Sequence, residues 1–193
     1  MNLFYEEYPC SIWIEGEAIP ILTDFRSYIK LMDVFRAKDL TDRDRAEFIC
    51  SFFLKIPSNM NMAIERLLEF INMDTLKPPV STEVLEDVDA NLEEEPVKMV
   101  YSFEFDYPYI LAGFRQCYQI DLRTVEYMHW WEFRCLFQGL PVDTEIKQRI
   151  HYRGLELSEI KDKEERKRVQ RIQNEIRLPG EELSDYDIGN AFM

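Results

Sequence analysis

Residues 58–71 read Ser-Asn-Met-Asn-Met-Ala-Ile-Glu-Arg-Leu-Leu-Glu-Phe-Ile and carry the clearest periodic pattern in the chain. Their apolar side chains recur at helical spacing and form one stripe: Met60, Ile64, Leu67, Leu68 and Ile71. Spacings of three and four residues are typical of an amphipathic α-helix that buries one face. The stretch therefore predicts a helix that opens at Ser58, and it sets a helical fold class for the N-terminal part of the chain.

Upstream of this helix, the sequence predicts a β-hairpin followed by another helix. Polar and apolar residues alternate over 11–15, and Pro20 confines the returning strand to an edge. Thr23 or Asp24 can cap a first helix, which runs to about Ala37. Its expected inner face comprises Phe25, Tyr28, Ile29, Met32, Phe35 and Arg36.

A second helix is predicted before Pro57. Thr41 and Asp44 form a Thr-x-x-Asp pattern that resembles a capping box, in which two residues of the first turn bond each other. The apolar residues that follow keep helical spacing up to the proline, which ends the helix: Ile49, Phe52, Phe53 and Ile56.

The middle of the chain is acidic and has the composition of a linker. Residues 74–106 hold ten acidic and two basic side chains, and Pro78-Pro79 cannot continue a helix. Aromatic residues are absent from 75–100, so this segment has little apolar area to bury against its ordering entropy. The expected division is a hairpin-plus-three-helix subdomain, a flexible acidic linker, a second α-helical subdomain and a disordered acidic tail: 1–74, 75–99, 100–178 and 179–193.

The second half of the chain predicts four helices after a short strand at 100–105. Asp106 can cap the first helix, with Pro108 in its first turn. Asp121 can cap the next helix, which runs to Gln138 and stops at a Gly-Leu-Pro sequence. Two more follow, one short and one long and highly charged: 143–152 and 158–177. The predicted fold class is therefore mostly α, with a minor β element near the start.

Composition and charge narrow the classes of function. The 193 residues are 46% hydrophobic and carry a formal net charge of −14, from 23 basic and 37 acidic side chains. Such a charge repels phosphate backbones and anionic membrane surfaces, so we expect neither nucleic acid nor a membrane as a partner. No apolar run is long enough for a membrane span, and residues 1–7 lack the pattern of a signal peptide.

Motifs of catalysis and cofactor binding are missing from the sequence. The six glycines are scattered, which excludes a GxGxxG loop and a P-loop, and His129 and His151 form no HExxH pair. Glu126 and His129 match the Glu-x-x-His pattern of a carboxylate bundle only once. A dyad of Cys135 and His151 is the enzymatic alternative. We expect a non-enzymatic protein without metal or cofactor, whose four cysteines are reduced.

The most unusual stretch is Tyr-Met-His-Trp-Trp-Glu-Phe-Arg-Cys-Leu-Phe at 127–137. On a helix, its large side chains would cover most faces and form two stripes. One stripe contains His129, Phe133, Leu136, Phe137 and Leu140, and the other contains Tyr127, Trp130, Trp131 and Arg134. One interpretation places them all at the centre of the C-terminal core. The other buries one stripe and offers the second to a partner or another copy, because large exposed aromatic rings anchor interfaces. The candidate partner-binding residues are Tyr127, Trp130, Trp131, Phe133, Arg134 and Phe137.

Several of these residues together resemble one phage family. The motifs are Thr-Asp-Phe-Arg at 23–26, Tyr-Ser-Phe and the later Asp within 101–106, and above all His-Trp-Trp-x-Phe-x-x-Leu-Phe-x-Gly-Leu-Pro at 129–141. They are similar to the small tail-assembly-chaperone-like proteins of long-tailed phages and prophages of Gram-positive bacteria. Ile-x-Tyr-Arg at 150–153 and the basic helix fit as well, and the resemblance extends to about Leu178.

The resemblance implies a non-enzymatic role in tail assembly. Genes of this family lie next to the tape-measure gene, and their products coat the long, helical, aggregation-prone tape-measure protein until the tail tube forms around it. It also implies a location in the host bacterial cytoplasm, absence from the mature virion and, for some members, self-association. The family motif labels no partner-binding residue, so the candidates within 127–137 are our own inference.

Two other classes of function are alternatives. An acidic phage protein can mimic DNA or inhibit a host nucleic-acid-binding protein. Against this, most of the excess charge lies in the linker and the tail instead of along folded faces. A structural tail or connector subunit is the other alternative, and it would remain in the virion.

Overall fold

The computed structural model describes residues 2–37, 39–76 and 99–179. The chain is mostly helical and opens with a two-stranded antiparallel hairpin, which confirms the predicted fold class. In chain order, the elements are β1 (Ser11–Ile14), β2 (Glu17–Pro20), α1 (Phe25–Arg36), α2 (Asp42–Cys50), α3 (Met60–Asn72), a 3-10 helix (Asp74–Leu76), α4 (Phe103–Tyr118), α5 (Trp130–Gln138), α6 (Glu145–Gly154) and α7 (Lys163–Glu175). Most of the predicted linker and nearly all of the predicted tail lie outside the described residues.

The chain forms two compact units. The first holds β1, β2, α1, α2, α3 and α5, and the second holds α4, α6 and α7. The predicted boundaries assigned the Trp-Trp motif to the C-terminal subdomain, and the structure corrects this. Residues 123–139 belong to the first unit, because the indole N–H groups of Trp130 and Trp131 bond to carbonyls of α3.

The strands β1 and β2 are joined by a two-residue turn. Glu15 and Gly16 have φ values of 51° and 84°, the left-handed pattern of a type I′ turn, whose twist suits antiparallel strands. The side chain of Ile14 is buried, whereas that of Trp13 lies on the opposite, exposed face. The predicted alternation and the predicted hairpin are thus confirmed, with Pro20 at the end of β2.

Side-chain caps set the starts of the first three helices. Asp24 accepts a hydrogen bond from the first turn of α1, as predicted. Thr41 and Asp44 form the predicted capping box at α2, with Asp44 Oδ2 at 2.9 Å from Thr41 N. α3 is capped by Asn59 instead of by the predicted Ser58.

The helix α2 ends at Cys50, well before the predicted stop at a proline. The chain turns there and runs along the end of the hairpin: Leu22 N donates to Phe52 O (2.9 Å), and Leu54 N donates to Pro20 O (2.9 Å). These bonds occupy backbone groups that a longer helix would use internally. Phe52 is buried as a result, but Ile56, which was expected on the same inner stripe, is exposed.

In the second unit, α4 begins at Phe103 and includes residues that were predicted to form a strand. Asp106, the predicted cap, lies inside the helix, where its Oδ2 accepts a hydrogen bond from Ser102 N (2.9 Å). The predicted inner side of α4 is confirmed by the burial of Ile110 and Phe114.

Candidate functional site

The helix α5 begins at Trp130, well after its predicted start. The residues before it run beside the start of α1: Trp130 N donates to Thr23 O (2.8 Å), and Phe25 N donates to Met128 O (3.0 Å). This pairing satisfies backbone groups that a longer helix would have bonded internally. Tyr127 therefore lies outside the helix, and the two stripes predicted for 127–137 do not form.

The Trp-Trp motif caps the C-terminal end of α3. Trp131 Nε1 donates to Phe70 O (2.8 Å), and Trp130 Nε1 donates to Ile71 O (3.1 Å). Arg134 Nη1 also donates to Ile71 O (2.6 Å). The last four carbonyls of a helix have no partner within it, and two of those of α3 find their donors in α5.

Four of the six predicted partner-binding residues are core side chains: Trp130, Trp131, Phe133 and Phe137. Phe133 stacks on Phe25, with 4.8 Å between ring centroids, and on Phe137 at 6.1 Å. Stacked aromatic pairs add to the free energy gained from burial alone. These four side chains therefore belong to the core of the first unit, and their predicted role in partner binding stays a prediction.

The other two predicted residues are less enclosed. Tyr127 is 55% exposed, and its hydroxyl lies 2.7 Å from Thr23 Oγ1. Arg134 is half-buried, with its guanidinium carbon 5.8 Å from the ring centroid of Trp130. Tyr127 is thus the one candidate of the six whose side chain is mainly exposed.

The first unit has an apolar groove between β1 and α3, which the sequence did not reveal. Its volume is about 390 Å³, and it is lined by Pro9, Ser11, Ile12, Trp13, Arg66, Glu69, Phe70, Thr75 and Trp131. The buried side chains of Ile12, Phe70 and Trp131 give it an apolar floor. Trp13, which is 65% exposed, stands at its rim. The one signal in the sequence was a tryptophan on the outward face of the predicted strand.

The free edge of β1 also borders this groove. Cys10 O accepts a hydrogen bond from Ile21 N (3.1 Å), and antiparallel pairs alternate, so Ser11 and Trp13 direct their backbone groups away from β2. Within the described residues, these groups bond to no other backbone or side chain. The groove thus places an open strand edge beside an apolar floor that can accept an apolar side chain.

The two residues of the possible Cys-His dyad belong to different units. Cys135 lies in the first unit and His151 in the second. Burial raises the pKa of the Cys135 thiol, although the nearby Arg134 opposes this, so the thiol is protonated at neutral pH. Over 2–37, 39–76 and 99–179, no group of three or more His, Cys, Asp or Glu side chains could hold a metal ion. No described helix is long and apolar enough to cross a membrane.

Comparison with known proteins identifies the family of the chain. A family model described as "Bacteriophage Gp15 protein" matches residues 4–178. The chain belongs to this family. No curated protein and no solved structure matches it. Membership of the Gp15 family makes this a bacteriophage protein and suggests a structural or assembly role in the phage.

The match to the Gp15 family covers every helix and strand that the structure describes. It therefore includes the aromatic core around α5 and the groove between β1 and α3.

Proposed function

We propose that this Gp15-family protein is a non-enzymatic chaperone of tail assembly, which binds the phage tape-measure protein and keeps it soluble. The observation that carries the proposal is the match to a phage family over residues 4–178. The resemblance of 129–141 to tail-assembly-chaperone-like proteins supports the finer role.

The groove between β1 and α3 is the proposed contact with the client. A tape-measure protein is a long helical chain with exposed apolar stripes, and a chaperone for it needs apolar anchors that release again. Trp13 suits this role, because an exposed tryptophan beside an apolar pocket is a frequent centre of binding energy. Burial contributes about 25 cal/mol per Å² of apolar area before the cost of association is subtracted, so a groove of this size supports reversible binding.

Charge and location complete the proposal. The net charge of −14 keeps a coated client soluble and repels nearby DNA. The protein acts in the host bacterial cytoplasm, in several copies along the client, and leaves before the virion is complete. Its partners are the tape-measure protein and other copies of itself, not nucleic acid or a membrane.

Co-expression with the long helical product of the neighbouring tape-measure gene tests the proposal. We expect the client to become soluble and to co-purify with the chain. Trp13→Ala should weaken this complex by about tenfold or more, since a central tryptophan contributes about 2 kcal/mol or more at an interface. Tyr107→Ala is the matched control, because Tyr107 is similarly exposed (59%) but lies on α4 in the second unit.

Three outcomes would contradict the proposal. The client could remain insoluble without forming a complex, or Trp13→Ala could bind as well as the control. Mass spectrometry of purified virions supplies the third, because a structural tail or connector subunit would be present there and an assembly chaperone would be absent.

A further inference from the structure

His129 joins several parts of the first unit through one buried imidazole ring. Its Nδ1 accepts the N–H of Trp131 (3.0 Å), which makes it the N-terminal cap of α5. Its Nε2 lies 3.1 Å from Pro9 O. The ring stacks on Tyr8, with centroids 4.7 Å apart and planes within 9°, and it meets the edge of Phe70 at 5.7 Å. The side chain is 3% exposed.

These contacts fit only one protonation state of the ring. Because Nδ1 accepts a hydrogen bond, it carries no proton, and Nε2 must carry the proton and donate to Pro9 O. A second proton on Nδ1 would face the N–H of Trp131, donor against donor, and would place a positive charge inside the fold. Burial accordingly lowers the pKa of His129, and the bond to Pro9 opposes this only in part.

The charged surroundings offer no compensation for a protonated ring. Titratable and charged groups on the elements packed against His129 include Tyr8, Asp24, Arg26, Glu65, Arg66, Glu69, Glu126, Tyr127, Glu132, Arg134 and Cys135. Asp24 is paired with Arg26 (3.0 Å), and Glu69 is paired with Arg66 (2.7 Å). No ion pair joins His129 to a carboxylate within the described ranges. Protonation is therefore opposed by the bond from Trp131 N and by the burial of the ring, and it is favoured only by the bond to Pro9 O.

We propose that neutral His129 links Pro9 to the start of α5 and that protonation of its ring at Nδ1 releases the Trp131 amide, while Nε2–H keeps its bond to Pro9 O. Trp131 lines the groove between β1 and α3 beside Pro9, so the loss of its amide cap alters the Trp131 side of the groove. His129 thereby makes the shape of the groove sensitive to acid. The consequence for client binding rests on the proposed function, whereas the release itself depends only on the described contacts.

Nuclear magnetic resonance of the ¹⁵N-labelled full chain tests this inference without a client. The ring nitrogen shifts of His129 report its tautomer and its titration, and hydrogen exchange reports the protection of the Trp131 amide. We expect the Nε2–H tautomer at pH 7.5. Protection of the Trp131 amide, corrected for intrinsic exchange, should be lost over the same pH interval in which His129 titrates. The Met62 amide, which bonds to Asn59 Oδ1 (3.2 Å) at the non-titrating cap of α3, is the control and should stay protected.

The variant His129→Asn keeps a capping side chain at the start of α5 but removes the titrating ring. Asparagine is a good helix cap, so Trp131 should stay protected through the whole pH range in this variant. An Nδ1–H tautomer, or a Trp131 amide that stays protected while His129 titrates, would overturn the inference. A separate experiment measures capture of the tape-measure product at pH 7.5 and at a pH below the titration of His129. If nothing is captured at either pH while the two transitions coincide, the proposed function fails and the role of His129 stands.

Discussion

Arg153 binds Asp106 in the second unit through two parallel hydrogen bonds, Nη1–Oδ2 at 2.6 Å and Nη2–Oδ1 at 3.0 Å. The two side chains are only 5% and 1% exposed. The same guanidinium donates to Ile176 O (2.7 Å) and to Val100 O (3.2 Å). A single arginine on α6 thus connects α4, the segment before it and the C-terminal end of α7 within this unit.

Replacing this arginine should strongly destabilise the second unit. Arg153→Leu leaves the carboxylate of Asp106 buried without its charge partner, and such a loss costs about 3–5 kcal/mol. Urea unfolding followed by circular dichroism measures it. Arg115→Leu is the control, because the ion pair of Arg115 with Asp121 is exposed on the arginine side and contributes at most about 1 kcal/mol. Equal losses in the two variants would show that the buried pair has no special role.

Replacing a buried tryptophan of the first unit should cost much more unfolding free energy than replacing an exposed one. Trp131 is 1% exposed, so Trp131→Ala should cost about 3–5 kcal/mol of unfolding free energy. Trp13→Ala removes a mainly exposed side chain and should change it by about 0.5 kcal/mol or less. Thermal melts of the two variants make the comparison. A stable Trp131→Ala variant would argue that the ring does not belong to the core.

Alkaline conditions should destabilise the first unit through Tyr28. This side chain is fully buried and its hydroxyl donates to Leu22 O; burial, and secondarily the nearby Tyr127, raise the pKa of Tyr28 well above the ordinary value of 10.0. The unfolded chain therefore loses this proton near pH 10 while the folded chain keeps it. Stability is complete below that pH and falls above it by about 1.4 kcal/mol per pH unit.

Urea unfolding at several pH values between 8 and 11 measures this slope. Tyr28→Phe has no proton to lose at this position, so its stability should depend less steeply on pH above 10. The variant will be less stable throughout, because Leu22 O loses its donor, and only the difference in slope matters. Identical slopes in the two proteins would refute the assignment to Tyr28.

Two glycines should respond oppositely to alanine. Gly16 has a φ of 84° and no atom within 4 Å of the place that a Cβ would occupy, so Gly16→Ala strains the backbone without a clash and should cost about 1 kcal/mol. Gly154 ends α6 without a positive φ, and a Cβ there would meet Val100 at an ordinary 3.6 Å. Gly154→Ala should therefore be neutral or stabilising by up to about 1 kcal/mol. Differential scanning calorimetry distinguishes the two, and a loss at both positions would contradict the backbone argument.

Local signals in the sequence predicted much of the fold. The hairpin around Gly16, the caps at Asp24 and Thr41 and the amphipathic stretch before Asn72 were all visible, because turns, caps and helical periodicity depend on residues close in sequence. The errors share another cause. The early end of α2 and the late start of α5 both reflect backbone pairing with distant segments, which no local pattern encodes.

The candidate site also combines features that local sequence predicts with features that depend on distant segments. The sequence by itself determined that the chain is helical, acidic and similar to a phage family, and that 127–137 concentrates large aromatic rings. Only the tertiary structure decided what those rings do: the indoles of Trp130 and Trp131 bond to the end of α3, and Trp13 is left at the surface. Periodicity can place a ring on one side of a helix, but whether that side is sealed depends on segments some 60 residues away, such as Phe70 and Ile71.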